Sequence, residues 1–416
     1  MFRWLGLFLL SIPLVWAKPL KVEVKAPAAI LINAETGAVL YEKASHERFF
    51  PASITKIATA LYVLEKYGHR LDEVVAASSQ ALSIVYSHEF HKHPPYRLQV
   101  GGTHMSLRVG EQLPVISLLY GLMLASGNDA ANVLAETVSG SIDRFMKDLN
   151  SFLRANGIQE TQFVNPHGLH HDDHWTTAAD MAAMTRLALK HPTFREIVKT
   201  IQYVRPQTNK QPQSFLFQKN RLLKQGNYFY PKAIGVKTGY HAPAGFTLVS
   251  AATHEGRTLI AVLLKCEDTH QRFREAIKLF EAAFSEKLIS RVLFAKGADQ
   301  FSHQIPGAAS KVQGVLKDDL KIEYYPAEEP ELRAEIHWNG NALPIKKDDQ
   351  VGYLKITTSN GSILQQQPIY ASHAVNRTVW AYLKDHKGIY LSLFLAGQIL
   401  ILLFYFFKKH QKVIKG

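Results

Sequence analysis

Ser53 and Lys56 form the single S-x-x-K pattern of this 416-residue chain. Three apart at the start of a helix, their side chains share one face and can touch. A serine hydroxyl becomes a nucleophile when a neighbouring base takes its proton. Lysine can be that base once a nearby cation, desolvation and the helix N-terminus lower its pKa. Ser126-Gly127-Asn128 and Lys237-Thr238-Gly239 follow, each pattern occurring once and in that order. Ser126 would relay a proton toward a leaving amine, and the Asn128 amide would orient Lys56 and bind a substrate amide. Lys237 would supply the cation, and with Thr238 would hold a terminal carboxylate. Gly239 would let an extended chain approach a strand edge. The backbone N–H groups of Ser53 and Tyr240 would meet an oxyanion. Taken singly, these are also a helix cap, a solvated lysine, an interhelical turn and a strand end. Their conjunction points to acyl transfer.

The elements that must position these residues can be read from periodicity. Residues 28–43 carry a candidate hairpin turning at Glu35-Thr36-Gly37, and a helical pattern begins at Ala52, with Ile57, Ala60, Leu61 and Leu64 on one face. Apolar helices are expected over 115–125 and 130–138, broken at the Ser126 motif, and another over 176–189. Strands are expected over 232–237, 246–253 and 258–265, then a helix over 271–284. Strands at both ends of a region with helices between them predict one α/β (α+β) domain, its sheet built from N- and C-terminal strands. Beyond Ser290, alternating runs at 320–325, 332–338, 353–358 and 362–370 predict a small all-β module.

The ends of the chain constrain its setting. Residues 1–17 have one Arg, an apolar run and Ala17, the layout of a secretory signal peptide. Residues 388–407 are 20 in number and carry no charge; as a helix they would span about 30 Å, a bilayer core. Lys408 and Lys409 follow at once and place the C-terminus in the cytoplasm. The boundaries expected are 1–17 leader, 18–288 catalytic domain, 289–375 β domain, 376–387 stem, 388–407 transmembrane helix and 408–416 cytoplasmic tail. The formal charge of +13 then suits an anionic envelope polymer better than nucleic acid. A single cysteine, Cys266, excludes a disulfide framework.

The motif set resembles the serine D-alanyl-D-alanine carboxypeptidases, the low-molecular-mass penicillin-binding proteins. The likeness extends through Leu31–Gly37, Pro51-Ala52-Ser53, Ser126–Ala130, Asn165–Leu169 with His174, Gly235–Gly239, Ala244-Gly245-Phe246 and Arg274-Glu275-Ala276, covering about 25–285. The β module and membrane tail resemble the family's C-terminal half. The resemblance implies a β-lactamase/penicillin-binding-protein-like fold: a mixed helical region flanking an antiparallel sheet. It implies removal of the terminal D-alanine from peptidoglycan stem pentapeptides through an acyl-enzyme on Ser53, with β-lactams trapping the same serine. It also implies a bacterial inner-membrane protein whose catalytic domain faces the periplasm, with no cofactor or metal. By family pattern, Lys219 and Arg274 help with the substrate carboxylate.

Three features depart from or test that pattern. Many relatives carry His after Lys-Thr-Gly, where this chain has Tyr240 and then His241. Between about Gln80 and Gly102 it carries extra sequence, which would either reshape the cleft or form a surface excursion, the surface reading being preferred. His88, His91 and His93 cluster there, and His170, His171 and His174 later; both groups read as solvated loops rather than metal ligands. Cys266 reads as a small buried residue. A class A β-lactamase would need a Glu-x-x-Leu-Asn pattern after the second motif, and the chain lacks it. DD-endopeptidase or transpeptidase action on the same site remains open, as does an envelope-anchored scaffold without catalysis.

Overall fold

The computed structural model describes residues 7–10, 18–86, 92–298, 300–358, 361–385 and 387–413. The chain divides into two compact units, 18–287 with 326–328, and the remainder of the described residues.

The first unit is built on five antiparallel strands: β1 (Ala28–Asn33), β2 (Val39–Lys43), β3 (Ala233–His241), β4 (Gly245–His254) and β5 (Arg257–Cys266). Their order is β3-β4-β5-β1-β2, so the N-terminal hairpin completes a sheet begun by three C-terminal strands. Side chains alternate between two cores. Ile30, Ile32, Val249, Ile260 and Val262 face a helical layer, while Leu31, Leu248, Leu259 and Leu263 face the other side. That second face is covered by Phe273, Leu279 and Phe280 of α7 (Gln271–Phe284). Burial on both faces explains why β5 reads as a continuous apolar run. Each fully buried Leu or Phe contributes about 1.5–3 kcal/mol.

The helical layer comprises α1 (Lys56–Tyr67), α2 (Val115–Tyr120), α3 (Asn128–Ser139), α4 (Ile142–Ala155), α5 (Ala178–Ala188) and α6 (Pro192–Lys199). α1 is buried from Lys56 through Leu64, which makes it the central helix. A wider turn over Gly121–Ala125 separates α2 from α3. α4 and α6 had no counterpart among the sequence expectations. Yet Ile142, Phe145, Met146, Leu149 and Leu153 of α4 form a buried i, i+3, i+4, i+7 stripe behind an N-cap at Ser141. The strand carrying Lys237-Thr238-Gly239 runs on to His241 instead of ending at the motif, because β4 pairs with it as far as Gly245.

The second unit has a six-stranded antiparallel sheet and a two-stranded ribbon, Ile289–Phe294 with Leu320–Tyr324. Trp338, Leu354, Ile356, Val312 and Ile369 fill its core. Leu7–Leu10, inside the expected leader, is an outer strand antiparallel to Leu332–Trp338; the rest of 1–17 lies outside the described residues. The expected stem contains a helix, Val379–Asp385, and 388–407 lies within a helix, Lys387–Val413. The helix is present; among the described residues no helix is long and apolar enough to cross a membrane, so the expected span is not shown.

Candidate active site

Ser53 sits in a single 3-10 turn, Ala52–Thr55, that leads into α1. Ala52 is held at φ +53°, a conformation unfavourable for a residue with a side chain and common beside functional groups. Two contacts hold the turn. Thr247 Oγ1 donates to the Pro51 carbonyl at 2.9 Å, and Thr55 Oγ1 donates to the Ala52 carbonyl at 2.9 Å. Glycines allow the neighbours to close in. A Cβ on Gly239 would lie 2.9 Å from the Ser53 nitrogen, and one on Gly168, at φ +88°, would lie 1.9 Å from the Ala52 oxygen.

Lys56 is fully buried. Its Nζ lies 3.2 Å from Ser53 Oγ, 2.7 Å from Asn128 Oδ1 and 2.6 Å from the His167 carbonyl oxygen. Burial, then the charges of Lys237 and Lys219, push its pKa well below the usual lysine value, against a small opposing pull from Asp129. A neutral amine has two N–H bonds and one lone pair. The two carbonyl oxygens take the N–H bonds, and the lone pair is left for the serine proton.

The groups that hold these acceptors are themselves pinned. Ser126 is buried at φ +62°, and Thr103 Oγ1 donates to its carbonyl at 2.7 Å. The Asn128 N–H donates to the Thr103 carbonyl at 2.8 Å. Asp129 accepts the N–H groups of Met105 and Leu107. Val164 N–H donates to His174 Nδ1 at 3.1 Å, so Nε2 carries the proton and meets Thr55 Oγ1 at 2.9 Å. Burial holds His174 well below the ordinary histidine range and takes His167 down to about 3. Both act as neutral struts.

Across the cleft, Lys237 is buried, with Nζ 2.9 Å from the Thr238 carbonyl oxygen. Burial lowers its pKa, helped by Lys219 and Arg272. Thr238, Gly239 and Tyr240 line the cleft of about 570 Å³ together with Ser53, Ser126 and Asn128. Tyr240 is exposed and stacks on Phe246 at 4.3 Å. Lys219, Arg221 and Arg272 make the lining cationic, which suits a ligand ending in a carboxylate.

Two sequence expectations change here. Arg274 is solvent-exposed beside Asp268 at 3.7 Å and does not line the cleft. Arg272 lines it instead: its guanidinium donates to the carbonyls of Gly239 (2.8 Å) and Thr247 (3.0 Å). Two residues along a helix turn a side chain by about 200°, so only one of the pair can face the sheet. The described part of the 80–102 segment is more than a surface excursion, because Gln99–Gly102 form one wall of the cleft. The Tyr96 carbonyl accepts from Asn132 Nδ2 (2.9 Å) and lies 3.1 Å from His167 Nε2, tying the segment to α3 and to the loop that holds Lys56. Neither Asn132 nor the Tyr96 hub carried a motif signal. Among the described residues no group of three His, Cys, Asp or Glu could hold a metal; His88 and His91 lie outside them. Cys266 is buried, and burial pushes its thiol up to about 12, so it is unreactive.

A serine whose proton can pass to a buried lysine of lowered pKa, beside a sheet edge and a cationic cleft, defines a serine acyl-transfer enzyme. The family profile described as D-alanyl-D-alanine carboxypeptidase matches residues 15–268, and that of the penicillin-binding protein 5 C-terminal domain matches 293–377. The chain belongs to the serine D-alanyl-D-alanine carboxypeptidase family. It is 30% identical to D-alanyl-D-alanine carboxypeptidase DacF of Bacillus subtilis over 88% of this chain and 90% of that protein. It is 32% identical to DacC of Escherichia coli over 83% of each. Among solved structures, DacD from Francisella tularensis aligns with TM-score 0.60 at 25% identity, over 87% of this chain and 96% of that one. The Streptomyces K15 DD-transpeptidase aligns with TM-score 0.56 at 30% identity, over 64% and 99%.

Proposed function

We propose that the protein hydrolyses the terminal D-alanine from peptidoglycan stem pentapeptides through an ester on Ser53. Lys56 takes the Ser53 proton, Asn128 fixes the lysine, and Ser126 passes a proton to the departing D-alanine. The N–H groups of Ser53 and Tyr240 receive the oxyanion. Lys237, Thr238 and Arg272 bind the terminal carboxylate, with Lys219 as a further cation. β-Lactams acylate the same serine. The observation carrying this reading is the buried Lys56 amine, 3.2 Å from Ser53 Oγ with two carbonyl acceptors on its other side.

The full chain in detergent micelles, incubated with an acyl-D-Ala-D-Ala peptide, should release free D-alanine and become labelled by a fluorescent penicillin. Both signals should vanish in Ser53→Ala. Labelling without release would shift the assignment to transpeptidase or endopeptidase action, the former being the named activity of the Streptomyces K15 neighbour. Neither signal in a folded chain would leave only the scaffold reading.

We also propose that residues 1–17 direct export and that 388–407 holds the catalytic unit on the outer face of a bacterial inner membrane. Supporting this are the 20 uncharged residues ending at Lys408-Lys409 and the exposed apolar side chains Leu400, Ile401, Leu402 and Phe404. Alkaline carbonate should leave the full chain in the membrane pellet and release a chain ending at Lys384. Release of both would sink the anchor.

A further inference from the structure

A second pocket of about 270 Å³ lies beside the catalytic cleft, with Phe50, Trp175 and Pro243 among its apolar walls and Arg48, Lys265 and Asp172 as its charged lining. The Arg48 guanidinium lies flat over the Trp175 ring, 3.7 Å from its centroid. Lys265 stands at φ +55° where the pairing of β4 and β5 slips by a bulge, a device that re-aims a side chain. Among the described residues neither Arg48 nor Lys265 has a carboxylate partner. Asp172 is nearly fully exposed and approaches only His170, at 3.6 Å. The pocket therefore offers two cations, one carboxylate and an aromatic wall.

Its place relative to the cleft defines what reaches it. Phe50 packs edge-on against His170 at 4.6 Å, and His170 lies 5.4 Å from His241, a lining residue of the cleft. These three rings are the partition between the two spaces. A substrate with its terminal carboxylate at Lys237-Thr238 and its scissile carbonyl at the Ser53 and Tyr240 N–H groups has a fixed direction. Its upstream part runs past Tyr240 and His241 toward the 242–244 turn, and Pro243 and Ala244 in that turn line the pocket. The side chain entering it belongs to the residue next upstream of D-Ala-D-Ala. Methylenes would cross the partition, a carboxylate would meet Arg48 and Lys265, and an ammonium would meet Asp172.

We infer that this pocket binds the free α-amino-acid end of a diamino dicarboxylic residue at that upstream position, and so selects such stems over stems carrying lysine there. The inference rests on the D-Ala-D-Ala reading of the cleft. Its test uses two peptides that differ only in whether the upstream side chain ends in an α-amino acid (diaminopimelate) or in an ammonium alone (lysine). The full chain should turn over the first about tenfold better in kcat/KM, chiefly through KM, as expected for one charge-assisted carboxylate contact. Arg48→Gln and Lys265→Gln should each bring that ratio close to one. Both peptides are measured on the same variant, so a folding defect cancels. Equal turnover by the wild type, or an unchanged ratio in both variants, overturns the pocket.

Equilibrium binding of the same peptides to Ser53→Ala, read by intrinsic tryptophan fluorescence, separates the two levels of argument. Selective binding without any turnover by the wild type would overturn the hydrolase reading and keep the pocket. Turnover of both peptides with indistinguishable binding would do the reverse.

Discussion

The two units are built on opposite principles of burial. Among the described residues the catalytic unit buries Lys56, Lys237, Asn128, Asn132, Asn165, His167, His174 and Arg272, whereas the β unit buries few polar groups, chiefly Thr357, the indole N–H of Trp338 and the Glu329 carboxylate paired with Arg291. Each buried polar group must find partners or lose about 1–3 kcal/mol. The catalytic unit meets most of that demand with long-range hydrogen bonds, including Lys56 to His167 and Asn132 to Tyr96. The β unit avoids it with alternating strands around Trp338, Leu354 and Ile369. Polar burial is thus concentrated around the catalytic amine, and the β unit carries little of that strain.

The largest effect expected from disturbing this contrast is at Lys56. Lys56→Arg keeps a long nitrogen-bearing side chain but removes the basic lone pair, since guanidinium does not deprotonate in this setting. Acylation by a fluorescent penicillin should slow by about 10²–10⁴-fold, the usual range for loss of general-base catalysis. A rate within threefold of wild type would show that Lys56 is not the base.

Acid should separate the units. His167 has its folded pKa lowered to about 3 by burial, below the ordinary value of about 6.5. Between those values the unfolded chain binds a proton that the native chain does not, so stability falls as pH falls through that window. The loss approaches about 5 kcal/mol at the acid end, and His174 is displaced in the same direction. In the β unit, partial burial lowers His303, a weaker form of the same linkage. Calorimetry at pH 7 and pH 4.5 should show the catalytic transition moving down far more than the β transition, and His167→Gln should shrink that movement. Parallel movement of both transitions would remove the contrast.

What was legible in the sequence follows the same division. Ser53, Lys56, Ser126, Asn128 and the Lys237–Tyr240 run could be located because short-range spacing dictates their elements. The β strands at 320–370 were legible because alternation is a local signal. Arg272 was not, because two arginines in one helical turn differ only in which faces β4, and that is decided by α7 docking on the sheet. The 80–102 segment was misread for a related reason. Its composition is that of a loop, and its place in the cleft wall depends on a carbonyl hub at Tyr96 that composition cannot show.

That hub gives the next effect in size. Asn132→Leu keeps the branched shape but deletes the Nδ2 bonds to the Ala81 and Tyr96 carbonyls. The catalytic transition should lose about 1–3 kcal/mol, and acylation should slow by about tenfold, through displacement of the wall and of His167. Loss of stability with an unchanged acylation rate would make the segment a passive wall.

The smallest effect is expected in the β unit, at the one place where its core resembles the catalytic unit. Trp338 is buried, and its Nε1 has no acceptor among the described residues; the ring stacks on His303 at 5.1 Å and lies close over Gly314. Trp338→Phe removes that unsatisfied donor, which would by itself stabilise by about 1–3 kcal/mol. It also leaves a void where the larger ring was, with a cost of similar size. The two oppose each other, so denaturant unfolding of the β unit should shift by less than about 1 kcal/mol, and penicillin acylation should stay within twofold. A loss above about 3 kcal/mol would mean that packing alone holds this core and that the orphaned donor costs little. A gain would mean that even this unit retains a polar group it does not need.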